Sequence, residues 1–170
     1  EHEDKVASRR GGKILKTGRA PPLQPDRHTT ARMSMFQYMI GNTDWSIPAL
    51  HNIRLVGTLG GIPPAAVPYD LDWSGLVSAP YAKPDPKLGL PTVEARLYRD
   101  YCRTKEELAR VFAEFRAANP SIYALYEQCE MLDGKYRAKA LAYFDEFYKI
   151  IDNEKRVERE IMAKCRTPQK

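Results

Sequence analysis

The chain has no long hydrophobic run. No stretch of its 170 residues approaches the ~18 uninterrupted apolar residues of a membrane-spanning helix, so a helical span is not expected. No signal-peptide pattern stands at the start. Cysteine is scarce: Cys102, Cys129 and Cys165 lack Cys-x-x-Cys spacing, which argues against a zinc site. Charge of one sign is also modest. Lysine and arginine number 27 against 22 aspartates and glutamates, a net charge of +5. The helical half alternates its charges instead of interleaving basic residues with exposed aromatics, so nucleic acid is not an expected partner. No internal repeat is evident.

What the chain does have is organised in blocks. Residues 1–28 are polar, basic and rich in Gly and Pro, closing on "RAPPLQPDR". They read as a linker or the truncated end of an upstream domain. The basic run "KVASRRGGKILKTGR" reads as a solvated arm. The chain starts at Glu1 rather than Met, so a processed form or a fragment is expected. A helix capped by Thr29 or Thr30 follows, with Met35, Phe36, Met39 and Ile40 on one face and a stop at Gly41-Asn42. "HNIRLVGT" alternates like a strand, "LGGIPP" like a turn and "AAVPYDLD" like the partner strand. The next segment, "WSGLVSAPYAKPDPKLGLP", has four prolines and little periodicity.

From Thr92 onward the pattern is helical. A short helix is expected over Val93–Tyr101, and Thr104 with Glu107 makes a capping box for the next, whose stripe is Leu108, Val111, Phe112 and Phe115. Pro120 is expected to restart the chain in a new helix. After Asp133-Gly134 one long helix should run to about Cys165, with Leu141, Phe144, Phe147, Tyr148 and Ile151 inward. Cys102 and Cys165 flank this half, and two readings stand: a bridge if the protein is exported, or free buried thiols. The expected class is α+β, predominantly helical, with residues 29–168 as one lobe.

Two acidic clusters sit on neighbouring element ends. "MIGNTDWSIPALHNIRLV" places Asn42, Asp44, His51 and Asn52 between a helix and a strand, and "VPYDLDWSG" places Asp70 and Asp72 at the end of the partner strand. Hard oxygen donors on two adjacent elements suit a magnesium ion and a phosphate. Each also has an ordinary reading: Asn42 with Asp44 as an Asx-turn, Asn52 as a turn residue, and Trp45 and Trp73 as packing residues.

The run "FQYMIGNTDWS…HNIRLV" resembles the catalytic loop of atypical protein kinases of the HipA type. "VPYDLDWSG" is similar to their Tyr-Asp metal motif and to the acidic run of CotH-type spore-coat kinases. Bacterial proteins of unassigned activity also share the YMIGNTDWS and YDxDWSG motifs. The resemblance covers about Thr30 to Tyr81. It implies a kinase-like C-terminal lobe that uses ATP and Mg or Mn on an unknown hydroxyl acceptor. Asp44 would be catalytic, orienting the nucleophile or taking its proton. Asn52, Asp70 and Asp72 would be metal ligands, and Asn42 and His51 would support the loop at the cofactor.

Two departures accompany the resemblance. The family separates its Asp and Asn by four residues, whereas "WSIPALH" lies between Asp44 and Asn52 here. The loop must therefore bulge, with Pro48 stiffening it. In addition, residues 1–28 are too short for an N-terminal lobe with a phosphate-pairing lysine. That lobe is expected upstream, and the chain alone is expected to bind nucleotide weakly or not at all and to be inactive. A pseudokinase-like binding module and a structural helical domain are the alternatives.

Overall fold

The computed structural model describes residues 3–9, 11–16, 25–58 and 63–167. The fold is α+β and mostly helical. In chain order the described elements are α1 (Glu3–Arg9), β1 (Gly12–Ile14), α2 (Arg27–Ile40), β2 (Ile53–Thr58), β3 (Ala65–Pro68), α3 (Lys105–Glu127), α4 (Gly134–Ile151) and α5 (Glu154–Glu160), with short 3-10 turns at Pro86–Leu88 and Met162–Lys164. The expected hairpin is the β2–β3 pair, with Ile53 opposite Pro68 and Val56 opposite Ala65. Its "LGGI" turn lies outside the described residues.

Part of the expected N-terminal linker is ordered structure instead. β1 pairs antiparallel with β2, giving a three-stranded sheet in the order β1-β2-β3, and α1 precedes it with Ala7 buried. Gly12 makes the pairing possible, since a Cβ there would meet the Gly57 carbonyl at 2.5 Å. The first long helix also starts earlier than either threonine. Asp26 is its cap, accepting from the Thr29 amide at 2.7 Å, so the cap is one turn upstream of the expected one.

Two apolar clusters hold the fold. The larger joins α2, α3, α4 and α5 through Met35, Met39, Phe115, Phe144, Phe147, Ile150 and Ile161. Phe147 meets Phe115 and Tyr38 edge-on, with ring centroids 5.5 and 6.3 Å apart. Full burial of such a side chain contributes roughly 2–3 kcal/mol. The smaller cluster sets Met33 of α2 and Trp45 against Ile53, Leu55 and Ala66 of the sheet.

Three helical expectations are corrected. Residues 93–101 are not a helix. The Arg96 guanidinium reaches the carbonyls of Met39 and Tyr143 and lies 3.6 Å over the Tyr143 ring. Tyr101 pairs with Arg166 beside the Cys102–Cys165 disulfide. These long-range contacts outweigh a weak local helix preference. Pro120 does not restart a helix but sits inside the continuous α3. Ile122, Tyr123 and Tyr126 pack on the large core there, which offsets the missing proline N–H. Finally, the last helix breaks at Asp152. Asn153 caps α5 by accepting from the Arg156 amide, while Asp152 accepts from Arg116 of α3. Of the expected inward residues of α4, Leu141 is only half-buried. The disulfide resolves the two cysteine readings, and Cys129 is free and exposed.

Candidate functional site

The first half of the site is built on the stop of α2. Gly41 ends that helix at φ 67°, a left-handed conformation that costs glycine little. The Asn42 amide then bonds the Gln37 carbonyl at 2.8 Å, and its side-chain oxygen accepts from the Asp44 amide at 2.9 Å. This is an Asx-turn, with Asn42 buried to 1% exposure. Trp45 donates its indole N–H to the Asn42 carbonyl, at 3.2 Å, and buries its ring against the sheet.

The insertion between Asp44 and Asn52 folds as a closed turn that buries Ile47 in the smaller apolar cluster, with Leu50 packed against it. Ser46 and His51 exchange two backbone bonds of 3.0 Å each, and the Leu50 amide bonds the Ile47 carbonyl at 3.1 Å. The bulge expected around Pro48 takes this form. At its base Asn52, with φ 53°, donates Nδ2 to both the carbonyl and Oδ2 of Asp44 at 2.9 Å. Both acceptors fix the amide orientation, so Oδ1 faces away from Asp44. The ring of His51 brings Nε2 within 2.8 Å of Asp44 Oδ1. Asn42, Asp44, His51 and Asn52 therefore form one bonded cluster.

The second half lies at the end of β3. The strand stops at Pro68, and Asp70 takes φ 56°, so the extended run expected through Asp72 is absent. The two carboxyls meet all the same. Their mutual hydrogen bond and charge raise the pKa of Asp70, and the charge of Asp44 raises it further. Asp72 shifts the opposite way, chiefly because Tyr81 donates its hydroxyl to Oδ2 at 2.9 Å. Asp70 therefore holds its proton more tightly than Asp72, within electrostatic reach of Asp44 and His51.

A cleft of about 290 Å³ lies over the first half, lined among others by Thr43, Asp44, His51, Trp73, Lys83 and Arg99. Arg99 was not legible as a site residue, because its segment reads as a helix; its guanidinium instead donates to the Thr43 carbonyl. A larger groove of about 710 Å³ runs between α2, β3, α3 and α4. It is mostly apolar, with the Arg32–Glu114 ion pair (3.3 Å) in its wall, and shares no lining residue with the cleft.

Among the described residues, no three His, Cys, Asp or Glu side chains come together as a metal cage. Magnesium in phosphoryl-transfer sites commonly takes one or two carboxylates, with waters and substrate phosphates completing its shell. The Asp70–Asp72 pair and Asn52 Oδ1 offer oxygen donors of that kind. No helix among the described residues is long and apolar enough to cross a membrane. Compared with family models, curated proteins and solved structures, the chain matches none.

Proposed function

We propose that this chain is the catalytic lobe of an atypical kinase-like phosphotransferase, which moves phosphate from ATP to a hydroxyl acceptor with Mg or Mn. The supporting observation is Asp44, held at both carboxylate oxygens and at its backbone amide, within electrostatic reach of the Asp70 and Asp72 carboxyls. Asp44 would orient the acceptor hydroxyl and take its proton. Asp70, Asp72 and Asn52 would hold the divalent ion, which lowers the charge repulsion between phosphates when bound. His51 and Asn42 would keep Asp44 in one rotamer. The Cys102–Cys165 bridge favours an oxidising compartment, and export is part of the same proposal.

The test is phosphate transfer by the full-length protein from γ-labelled ATP with Mn²⁺. Transfer to protein, to an added hydroxyl substrate or to water should vanish in Asp44→Asn while nucleotide binding survives. A second reading, a pseudokinase-like binding module, is favoured by the large, mostly apolar groove, which none of the proposed site residues lines. Metal-dependent nucleotide binding with no transfer would select it.

A further inference from the structure

Most of the partly buried arginines of this fold are paired; Arg137, away from the cleft, bonds only the Cys129 and Leu132 carbonyls, and Arg99 lies 5.9 Å over the Trp45 ring. Arg103 forms a fully buried ion pair with Asp100 at 2.9 Å, and Arg156 pairs with Glu146 and Glu160. Arg96 is spent on backbone carbonyls and an aromatic face. Arg99 is half-buried in the wall of the Asp44 cleft, and no carboxylate lies within ion-pair distance of it among the described residues. Its Nη1 donates to the Thr43 carbonyl, while its Nε is buried with no hydrogen-bond partner. Nη2 makes no hydrogen bond among the described residues either. The Nε–Nη2 edge is thus without a hydrogen-bond partner among the described residues, and such an edge can grip a carboxylate or phosphate in two parallel bonds.

The surroundings add positive charge. Lys83 lines the same cleft and also has no carboxylate partner among the described residues. Burial, and after it the nearby charge of Arg166, lowers the pKa of Arg99 to about 10, while Asp85 and Asp44 raise it only from a distance. Asp85 already accepts from the Lys87 amide at 2.9 Å. A buried cation without a paired anion is costly, and clefts where this occurs are candidate binding sites.

We infer that Arg99 and Lys83 form an oxyanion subsite in the Asp44 cleft, which takes the phosphate or carboxylate group of an anionic acceptor. The subsite rests on the phosphotransferase reading only for the word acceptor; the anion site itself stands on Arg99. Arg99 grips the anion through its Nε–Nη2 edge and Lys83 closes over it from the loop. The anion is then held beside Asp44, which sets a hydroxyl of the same molecule against the carboxylate.

The test titrates inorganic phosphate, and separately acetate, into the full-length protein at constant ionic strength, read by amide chemical shifts. Saturable binding is expected in the wild type and should weaken about tenfold or more in Arg99→Lys, which keeps the charge and loses the fork. Lys83→Gln, on an exposed loop, should also weaken binding without affecting folding. Phosphate binding alone assigns a phosphorylated acceptor, and acetate binding of equal strength assigns an acidic one. No saturable binding of either anion, or equal binding in both variants, overturns the subsite. A parallel titration with ATP and Mn²⁺ separates the two ideas. Anion binding without nucleotide binding keeps the subsite and sinks the phosphotransferase reading; the reverse result keeps that reading and sinks the subsite.

Discussion

Breaking the Cys102–Cys165 bridge should be the most costly covalent change available to this fold. The two residues are separated by 63 positions, and Cα atoms 4.8 Å apart join the segment before α3 to the chain after α5. Closing a loop of that length removes about 14 cal/mol/K of entropy from the unfolded chain, or about 4 kcal/mol at 25 °C. Local bonds add to the tie: Cys102 donates to the Arg166 carbonyl at 3.0 Å, and Arg166 donates to the Asp100 carbonyl at 2.9 Å. These bonds remain when the sulfurs are replaced, so the entropic figure is the expected loss. At the usual slope for a domain of this size, the melting temperature should fall by roughly 8–16 °C. The comparison is urea and thermal unfolding of the oxidised protein against Cys102→Ser with Cys165→Ser. Hydrogen exchange should quicken at the Cys102 and Arg166 amides. A double variant within about 1 kcal/mol of the wild type would refute the reasoning, because it would mean that the unfolded chain gains no freedom when cut.

Two further perturbations probe the loop around Asp44. Gly41→Ala should destabilise far more than Gly11→Ala: both have positive φ, but only at Gly41 would a Cβ overlap the Tyr143 hydroxyl. Adding Tyr143→Phe should recover part of the loss, read by urea denaturation. Asn52→Gly should cost about 2–3 kcal/mol for the lost bonds to Asp44. Asn52→Ala should cost about 1 kcal/mol more, because alanine resists the left-handed backbone that Asn52 adopts. Equal stability of the two Asn52 variants would contradict that assignment.

The sequence was most legible where the signal is local. Gly41-Asn42 ends α2, Thr104 and Glu107 close a reciprocal cap on α3, and Ile53 and Leu55 alternate into the small core. The clustering of Asp44 with Asn52 was also legible, since a bulge around Pro48 is what brings the two ends of the insertion together. What escaped depends on partners distant in the chain. The non-helical path of 93–101 is set by Arg96 on α2 and α4 and by a disulfide to Cys165, none of which shows in a helical window. The continuity of α3 through Pro120 depends on packing against α4, and the third strand on a glycine that admits Gly57. Arg99 escaped with its segment. Its importance lies in bonds it does not make, which no spacing pattern can show.

The central claim is that Asp70 and Asp72 hold a divalent ion for a nucleotide, and titration of Mn²⁺ into the full-length protein with ATP, followed by electron paramagnetic resonance, tests it most directly. Asp70 binds its proton more tightly than an ordinary aspartate, so the ion competes with that proton as the pH falls. Affinity should therefore rise as pH climbs through the raised Asp70 pKa and level off above it, and Asp70→Asn with Asp72→Asn should abolish ATP-dependent Mn²⁺ binding. Mn²⁺ affinity that is the same in the double variant, or no ATP-dependent binding in the wild type at neutral pH, would contradict the account.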